Sequence, residues 1–405
     1  MNTYTGKEYM QIEIAGMYGL DKEIFPVRIA WVEEHEDTLE SMEDTAKDYY
    51  GYCASVMAYR KAQKGIPSGY LVSLDATASG IQLLSVLTGC KIGAANSGVT
   101  GQLRVDPYKT ATEIMNGILG TSTVYERETI KSSLMKHYYN SKAEPKNAFG
   151  EDTPELSAFY QAAAEIAPGA EMIMPIINSL QDPDTLFYDW DYPDGFQVHY
   201  KVKDVYEHRV HVDTLEKELT FAYQYTVNTP MEKIRFLPSG IIHGLDGYIV
   251  RELTARCDHS KGVLKTAELE LIRRLKRDIE VSPMAYLYCE RMWHKHKALS
   301  IVGIEYVNSW SVNQMSKEYC IGLLALIRVI LKRPSFKVIG IHDCFKNLPN
   351  YMDWTRQTYI DLLAEIADSS ILDAILSDIA GYAISVPKLS SDLSKSIRLT
   401  EYPLA

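Results

Sequence analysis

Apolar residues recur at helical spacing along most of this 405-residue chain. A recurrence every three to four residues predicts amphipathic helices, because one helical turn takes 3.6 residues. The segments with this pattern are 24–64, 105–119, 127–139, 156–180, 261–279 and 315–331. A continuous apolar run over 81–87 indicates one further helix, buried on all sides. The chain is therefore predicted to be largely helical.

Four shorter segments have the features of β-strands. The runs 70–74 and 338–341 are short and apolar, which is typical of strands buried in a sheet. Segments 196–202 and 219–227 alternate apolar and polar residues, which predicts the two strands of one long hairpin. Together with the helices they predict an α/β fold, of the α+β kind, with an antiparallel sheet.

Both buried strands end in an aspartate, Asp75 after the first and Asp343 after the second. A sheet would hold these carboxylates rigidly, and side by side they would repel unless a divalent cation lay between them. Carboxylate oxygens suit Mg²⁺, which completes its coordination with water and substrate phosphates. Two such ions support an in-line phosphoryl displacement. The simpler alternative is that each aspartate caps the element that follows it.

The predicted helix over 127–139 carries a polar stripe. Arg127, Lys131 and Met135 lie four residues apart, and Tyr139 lies one turn further on. Two cations one turn apart repel each other, and an anion lying against them would relieve that repulsion. A nucleoside triphosphate would supply the anion, with the tyrosine near its sugar and base. The alternative is a solvated basic face.

Composition bounds the class of protein. A hydrophobic fraction of 46% with 23% charged residues is ordinary for a soluble globular protein. The net charge of −11 does not favour a nucleic-acid binder, although a local basic cleft on an acidic chain can bind a polyanion. Six scattered cysteines predict a reduced, cytoplasmic protein. The most apolar stretch, 321–331, is interrupted by Arg328 and is too short to span a bilayer. No cysteine lies close enough in the sequence to His208 and His211 to complete a zinc site.

Three short motifs occur in order along the chain. Residues 75–82 are Asp-Ala-Thr-Ala-Ser-Gly-Ile-Gln, and residues 342–345 are His-Asp-Cys-Phe. Between them, the stripe that begins at Arg127 ends in Tyr139-Asn140-Ser141. These motifs resemble Asp-x-x-x-Ser-Gly-Ile-Gln, His-Asp-Ser-Phe and Arg-x-x-x-Lys-x-x-x-Met-x-x-x-Tyr-Gly-Ser, which mark the single-subunit RNA polymerases of phages and mitochondria.

Flanking segments extend the resemblance from about residue 21 to the end of the chain. Segment 21–29 resembles the family segment whose lysine reaches the incoming triphosphate. Segment 106–108 is similar to the helix start after the first motif, and 243–247 is similar to the family's His-Ser-x-Asp-Gly. Segment 402–405 is similar to the apolar tail that in this family tucks back toward the active site.

The resemblance implies a role for each matching residue. Asp75 and Asp343 would hold two Mg²⁺ ions. His342 would support the primer-end site, Tyr139 would monitor the nucleotide sugar, and His243 would contact the 2′-hydroxyl. The residues implied as catalytic are Asp75, Lys131, Tyr139, His342 and Asp343; those implied in substrate binding are Lys22, Gly80, Arg127 and His243, with Lys22, Arg127 and Lys131 on the triphosphate.

The implied activity is that of a DNA-directed RNA polymerase. Its partners would be a DNA template, the RNA product and ribonucleoside triphosphates. Gly80 favours RNA synthesis, because related DNA polymerases carry a glutamate there that blocks the 2′-hydroxyl. Two alternatives remain: a fragment like the family A DNA polymerases, and a non-catalytic scaffold that binds nucleic acid.

The resemblance also implies the palm and fingers of a right-hand polymerase, without thumb or N-terminal domain. The palm would comprise 1–100 and 244–405, with a helical insertion at about 258–332, and the fingers 101–243, with a hairpin at 196–227. A smaller partner subunit would carry the missing N-terminal, thumb and early palm parts. The chain is similar to the larger subunit of the heterodimeric RNA polymerases that certain phages use for middle transcription. This implies the cytoplasm of an infected bacterial host.

Besides the missing N-terminal parts and Cys344, which stands where the family has serine, the chain departs from the family pattern in three places. Asn140 stands where the family has glycine, and Gly244 stands where it has serine. Asparagine tolerates a positive φ better than most residues, so the first change is expected to be mild. The third departure is the insertion, whose first helix either grips nucleic acid or presents a solvated basic face. Its basic residues are Lys261, Lys265, Arg273, Arg274, Lys276 and Arg277.

Overall fold

The computed structural model of the chain describes residues 2–120, 125–212, 219–230 and 236–405. In this part of the chain, helices predominate and the sheets are small and antiparallel. The helices are α1 (Gly6–Ala15), α2 (Phe25–Glu34), α3 (Tyr49–Gln63), α4 (Ser79–Thr88), α5 (Lys91–Asn96), α6 (Pro107–Leu119), α7 (Arg127–Tyr138), α8 (Ala143–Phe149), α9 (Pro154–Ile166), α10 (Pro168–Ser179), α11 (Leu237–Cys257), α12 (Lys261–Leu275), α13 (Tyr288–His296), α14 (Lys317–Leu331), α15 (Met352–Asp368), α16 (Ile371–Ala380) and α17 (Leu393–Ile397). The strands are β1 (Val72–Asp75), β2 (Phe187–Asp191), β3 (Gln197–Lys201), β4 (Lys203–Val212), β5 (Leu219–Pro230), β6 (Ile339–Ile341) and β7 (Cys344–Asn347).

The predicted helices are present with shifted ends, except that neither 156–180 nor 24–64 is one continuous helix. Segment 156–180 forms α9 and α10, which are separated at Ala167. A 3₁₀ segment, Leu39–Thr45, separates α2 from α3. The Asp48 side chain accepts a hydrogen bond from the Gly51 amide at 2.9 Å and so begins α3 afresh. The sequence did not predict α11, which contains three glycines that weaken its helical signal. None of the helices in the described ranges has the length and apolarity that a bilayer crossing requires.

The sheet that carries the candidate chemistry has the strand order β1-β7-β6, and all its pairs are antiparallel. Leu74 pairs with Phe345 and Asp75 pairs with Cys344. Strands β6 and β7 are joined by a two-residue turn of His342 and Asp343, in which His342 has a φ of 56°. Asp75 therefore lies beside that turn, at one end of the sheet.

The two faces of this sheet differ. Leu74 and Phe345 lie on the face that packs against α11 and α15, and both are buried. A Cβ added to Gly340 on the same face would come within 2.9 Å of Val250, so glycine lets α11 approach the sheet closely. Asp75 projects from the opposite face, toward a cleft.

Helix α4 follows β1 and is buried along its whole length. The Gln82 side chain joins it to distant segments, because its Nε2 donates to the carbonyls of Ser97 and Pro403 at 2.9 Å each. The last residues lie beside the strand: Leu404 forms a bridge with Ala76, and the Ala405 amide donates to the Asp75 carbonyl at 2.9 Å. The expectation that this tail lies near the two strand ends is confirmed.

The prediction of a single hairpin over 196–227 is wrong. Both predicted strands exist, but β3 pairs with β2 and β5 pairs with β4, so there are two ribbons. Alternation shows that one face of a strand is more polar, and it does not identify the partner strand. Residues 213–218 of the predicted hairpin lie outside the described residues.

The predicted insertion contains a hydrophobic core of its own. Buried side chains of α12 and α14, among them Leu271 and Leu323, pack together apart from the main core. One member of the predicted basic set does not face solvent: Arg274 is buried, and its guanidinium donates to backbone carbonyls. The basic face is therefore smaller than the sequence indicated.

Candidate active site

A cleft of about 620 Å³ lies at the end of the β1-β7-β6 sheet where Asp75 is located. Helices α4, α7 and α11 and the segment before α2 form its walls. All the site residues implied by the sequence motifs line it: Lys22, Asp75, Gly80, Arg127, Lys131, Tyr139, His243, His342 and Asp343. Residues that are more than 300 positions apart in the sequence thus meet in one cavity.

Asp75, at the end of β1, and Asp343, in the turn between β6 and β7, lie side by side at the floor of the cleft. The Ala76 amide donates to the Asp343 carbonyl at 3.1 Å, which fixes the two backbone segments side by side. Burial, and then the charge of Asp343, raise the pKa of Asp75 to about 6. The Asp75 side chain is accessible from the cleft, yet the cleft walls exclude part of its hydration. A divalent cation would relieve the repulsion between the two carboxylates.

Asp246 is a third carboxylate in the cleft, and the sequence argument did not assign it a role. It lies on α11, one turn after His243. Burial, followed by the charges of Asp343 and Asp75, raises its pKa to about 7. The signal for it was the spacing His243-x-x-Asp246, which places both side chains on one face of a helix.

The donor set of this cleft fits Mg²⁺ better than a soft metal, because it consists of carboxylate oxygens. Among the described residues, no three His, Cys, Asp or Glu side chains lie close enough to enclose an ion. An open site of this kind suits Mg²⁺, which usually keeps several waters and takes further ligands from substrate phosphates. Asp75 and Asp343 are the residues that would hold it.

Helix α7 presents Arg127, Lys131 and Met135 to the cleft, as the four-residue spacing predicted. Arg127 Nε lies 2.7 Å from Asp106 Oδ2, and Lys131 Nζ lies 3.8 Å from Glu128. These carboxylates already offset the repulsion between the two cations. The repulsion alone therefore does not require a bound nucleotide, and the position of the stripe in the cleft is the stronger argument.

Tyr139 faces two of the other implied residues. Its ring centroid lies 5.1 Å from that of His243, and a Cβ added to Gly80 would come within 3.3 Å of the Tyr139 ring. The next residue, Asn140, has a φ of 69°, which confirms that asparagine occupies a left-handed position here. Gly80 therefore leaves a space beside Tyr139 that any larger residue would fill.

The replacement of serine by Gly244 has a steric explanation. The Tyr192 hydroxyl lies where a Cβ on residue 244 would project, so a side chain there would clash. Tyr192 is itself fixed, since its hydroxyl donates to the Ile241 carbonyl at 3.1 Å. Gly244 therefore leaves room for the Tyr192 hydroxyl, and His243 lines the cleft.

Arg104 is the second residue of the cleft that the sequence argument missed. It lies in the segment before α6, and it lines the cleft together with Lys22, Arg127 and Lys131. No motif or periodicity marks this residue, because its neighbours in the fold come from distant parts of the chain.

The cleft therefore has two chemically distinct sides. Carboxylates occupy its floor, and four cationic side chains occupy its wall. An anionic ligand with bound divalent cations, such as a metal-chelated polyphosphate, would satisfy both sides at once. No protein-family model matches the chain, and no curated protein is similar to it. The interpretation of the cleft rests on its own residues.

Proposed function

We propose that the chain is the catalytic subunit of a DNA-directed RNA polymerase, which joins ribonucleotides on a DNA template by a two-metal mechanism. One observation supports this most strongly. The three motifs, which lie apart at residues 75–82, 127–141 and 342–345, supply the floor and the wall of the same cleft. An aspartate that merely capped the next element would have no reason to face a helix that carries Arg127 and Lys131.

In this mechanism Asp75 and Asp343 hold the Mg²⁺ ions. When bound, these ions lower the pKa of the attacking 3′-hydroxyl and stabilise the negative charge of the leaving group. Lys22, Arg127 and Lys131 bind and orient the triphosphate. The 3′-oxygen forms a bond to the α-phosphorus, the bond to the bridging oxygen breaks, pyrophosphate leaves, and the hydroxyl proton passes to water.

Discrimination between ribose and deoxyribose is assigned to Gly80, Tyr139 and His243. The space beside Gly80 admits a 2′-hydroxyl, which a glutamate at this position would exclude. The neighbouring Tyr139 and His243 rings form a surface against which a sugar can lie. These features favour RNA synthesis over the alternative of a DNA polymerase fragment, and the paired metal aspartates disfavour a non-catalytic scaffold.

The smaller partner subunit, together with the division into palm and fingers, is part of the same proposal. Strand β6 lies at an edge of its sheet, and among the described residues it pairs only with β7. Two of its side chains, Ile339 and Ile341, are 49% and 50% exposed. An apolar strand edge favours pairing with another chain, and an early palm strand of the partner would cover it.

The test is nucleotide incorporation on a primed single-stranded DNA template with Mg²⁺, with and without the co-expressed neighbouring gene product. Ribonucleotide incorporation that requires both chains supports the whole proposal. Incorporation by the chain alone would contradict the partner, and incorporation of deoxyribonucleotides only would favour the DNA polymerase. Asp44→Asn serves as a matched control for the metal aspartates, because Asp44 is exposed and lies outside the cleft.

A further inference from the structure

Three of the four cations in the cleft wall already have carboxylate partners. Lys22 Nζ lies 3.3 Å from Asp21, and Arg127 and Lys131 are paired as described above. These pairs lie at the surface of the cleft, where an anionic ligand would compete with the carboxylates. Arg104, the fourth cation, differs from the others.

Within the described parts of the chain, the guanidinium of Arg104 has neither an ion-pair partner nor a hydrogen-bond acceptor. Its Nη1 atom is fully buried and unpaired. The nearest charges are those of Asp21, Asp106 and Asp75, which act on it only through space. A guanidinium nitrogen that is buried without an acceptor is unfavourable.

A second arginine increases the positive potential at this place. Arg28 is buried and donates to the backbone carbonyls of Asp21 and Glu23, so it too lacks a carboxylate partner. Burial, and then the charge of Arg104, lower the pKa of Arg28 to about 10. Two like charges held close together favour the binding of an anion.

The position of Arg104 indicates which anion. Arg104 and Lys22 line the same cleft as Asp75 and Asp343, and the charges of both cations act on Asp75. A triphosphate whose α-phosphate lies over the two aspartates would direct its remaining phosphates toward this wall.

We propose that Arg104 binds the β- and γ-phosphates of the incoming nucleoside triphosphate, and hence the pyrophosphate product. This inference rests on the proposed function, and it adds to that function a residue that no motif marks. The planar guanidinium would contact two phosphate oxygens at once, which a lysine cannot reproduce. A nucleic-acid backbone offers the same phosphate chemistry, so the experiment must separate the two sources.

The experiment measures equilibrium binding to the full chain, by calorimetry, of Mg²⁺-pyrophosphate, Mg²⁺-GTP and a single-stranded oligodeoxynucleotide. The variants are Arg104→Met and Arg104→Lys, with Arg273→Met as the matched control. Arg273 lies outside the cleft, on the insertion, where it is paired with Glu270 at 2.6 Å. A thermal melt of each variant in the absence of ligand reports whether Arg104 has a structural role.

We expect Arg104→Met to weaken the binding of pyrophosphate and GTP about 10-fold or more, as for the loss of a charge-assisted bidentate contact. Arg104→Lys should recover part of this loss. Oligonucleotide binding and the control should be unchanged, and the melting temperature of Arg104→Met should not fall, because no internal contact is lost.

Three results would overturn the inference: equal binding of pyrophosphate by Arg104→Met and the wild type, a loss confined to the oligonucleotide, or a marked fall in melting temperature. Absence of pyrophosphate binding by the wild type would also contradict it. In a steady-state assay, Arg104→Met should raise KM for the nucleotide more than it lowers kcat. If the chain binds pyrophosphate through Arg104 but synthesises nothing even with its co-expressed partner, the polymerase proposal is contradicted and this site stands.

Discussion

An arginine in the helical insertion and an arginine in the cleft differ in the hydrogen-bond acceptors that surround them. In the insertion, the buried Arg274 donates to the carbonyls of Arg277, Ile279 and Met315 at 3.3, 2.9 and 2.9 Å. In the cleft, Arg104 has no acceptor within the described residues. The insertion thus provides backbone acceptors for both terminal nitrogens of Arg274, although not for its Nε, whereas the buried Nη1 of Arg104 has no acceptor among the described residues. The contacts of Arg274 stabilise the fold, whereas Arg104 is available to contact a ligand in the cleft.

Carboxylates show the same contrast. Glu252, buried beneath the insertion, accepts hydrogen bonds from Arg256, Ser300 and the Ile301 amide at 2.6–2.8 Å. Asp75 and Asp246 instead face other carboxylates, and their pKa values are raised. Fold stability explains the first arrangement and opposes the second. A cleft that keeps like charges together is better explained by what it binds.

The largest expected effect comes from removing a charge in the cleft. Asp75→Asn should lower the rate of ribonucleotide incorporation by about 1,000-fold or more, because it removes a ligand of the ions that carry the chemistry. The fold should persist, since the substitution also removes a repulsion. Single-turnover incorporation and a thermal melt measure both. A rate within 10-fold of the Asp44→Asn control would contradict the assignment.

Removing a buried charge outside the cleft should lower the stability of the fold and leave ligand binding in the cleft unchanged. Arg256 is buried and bridges Glu252 and Glu365. Arg256→Met leaves Glu252 buried without its cation, which should lower the free energy of unfolding by about 3–5 kcal/mol. Urea denaturation measures this, while Mg²⁺-GTP binding of the folded fraction should be unchanged. A loss below about 1 kcal/mol would show that the network resembles a surface ion pair.

A smaller effect is expected at the wall beside Tyr139. Gly80→Glu should reduce the preference for GTP over dGTP by about 10- to 100-fold in kcat/KM, because the new side chain fills the space for the 2′-hydroxyl. Gly80→Ala is the graded control, as its Cβ would lie 3.3 Å from the Tyr139 ring. If neither substitution changes this ratio, residue 80 does not select the sugar.

The smallest effect concerns pH. Since the folded-state pKa values of Asp75 and Asp246 are about 6 and 7, well above the ordinary 3.8, the folded chain retains protons that the unfolded chain has lost. Their contribution to stability is therefore present at low pH and is lost as pH rises from about 4 to 7. Without metal, the melting temperature should fall by a few degrees over this interval relative to the double variant Asp75→Asn/Asp246→Asn. Mg²⁺ should restore more stability at pH 8 than at pH 5.

The elements and residues that carry local signals could be predicted from the sequence. Asp75 and Asp343 each follow a short apolar run, and the stripe from Arg127 to Met135 follows helical spacing, so their surroundings were encoded nearby. Strand pairing is not encoded in nearby residues, and for that reason β3 and β5 were wrongly predicted to form one hairpin. Arg104 was missed because the charges around it come from segments distant in the chain.

In the insertion, the sequence pattern predicted an exposed residue that the structure shows to be buried. Its first helix is basic in sequence, and Arg274 was counted with the exposed set. Only the packing of α12 against α14 shows that this side chain points inward. Helical periodicity distinguishes an apolar face from a polar one. It does not show when a long basic side chain is buried because it donates to backbone carbonyls.

The most direct test of the central claim is the sequence of the product made on a defined DNA template from ribonucleoside triphosphates and Mg²⁺, by the chain together with its co-expressed partner. We expect RNA complementary to the template. This product should be absent with Asp75→Asn or Asp343→Asn and present with Asp44→Asn. No product, or a product whose sequence does not follow the template, would contradict it.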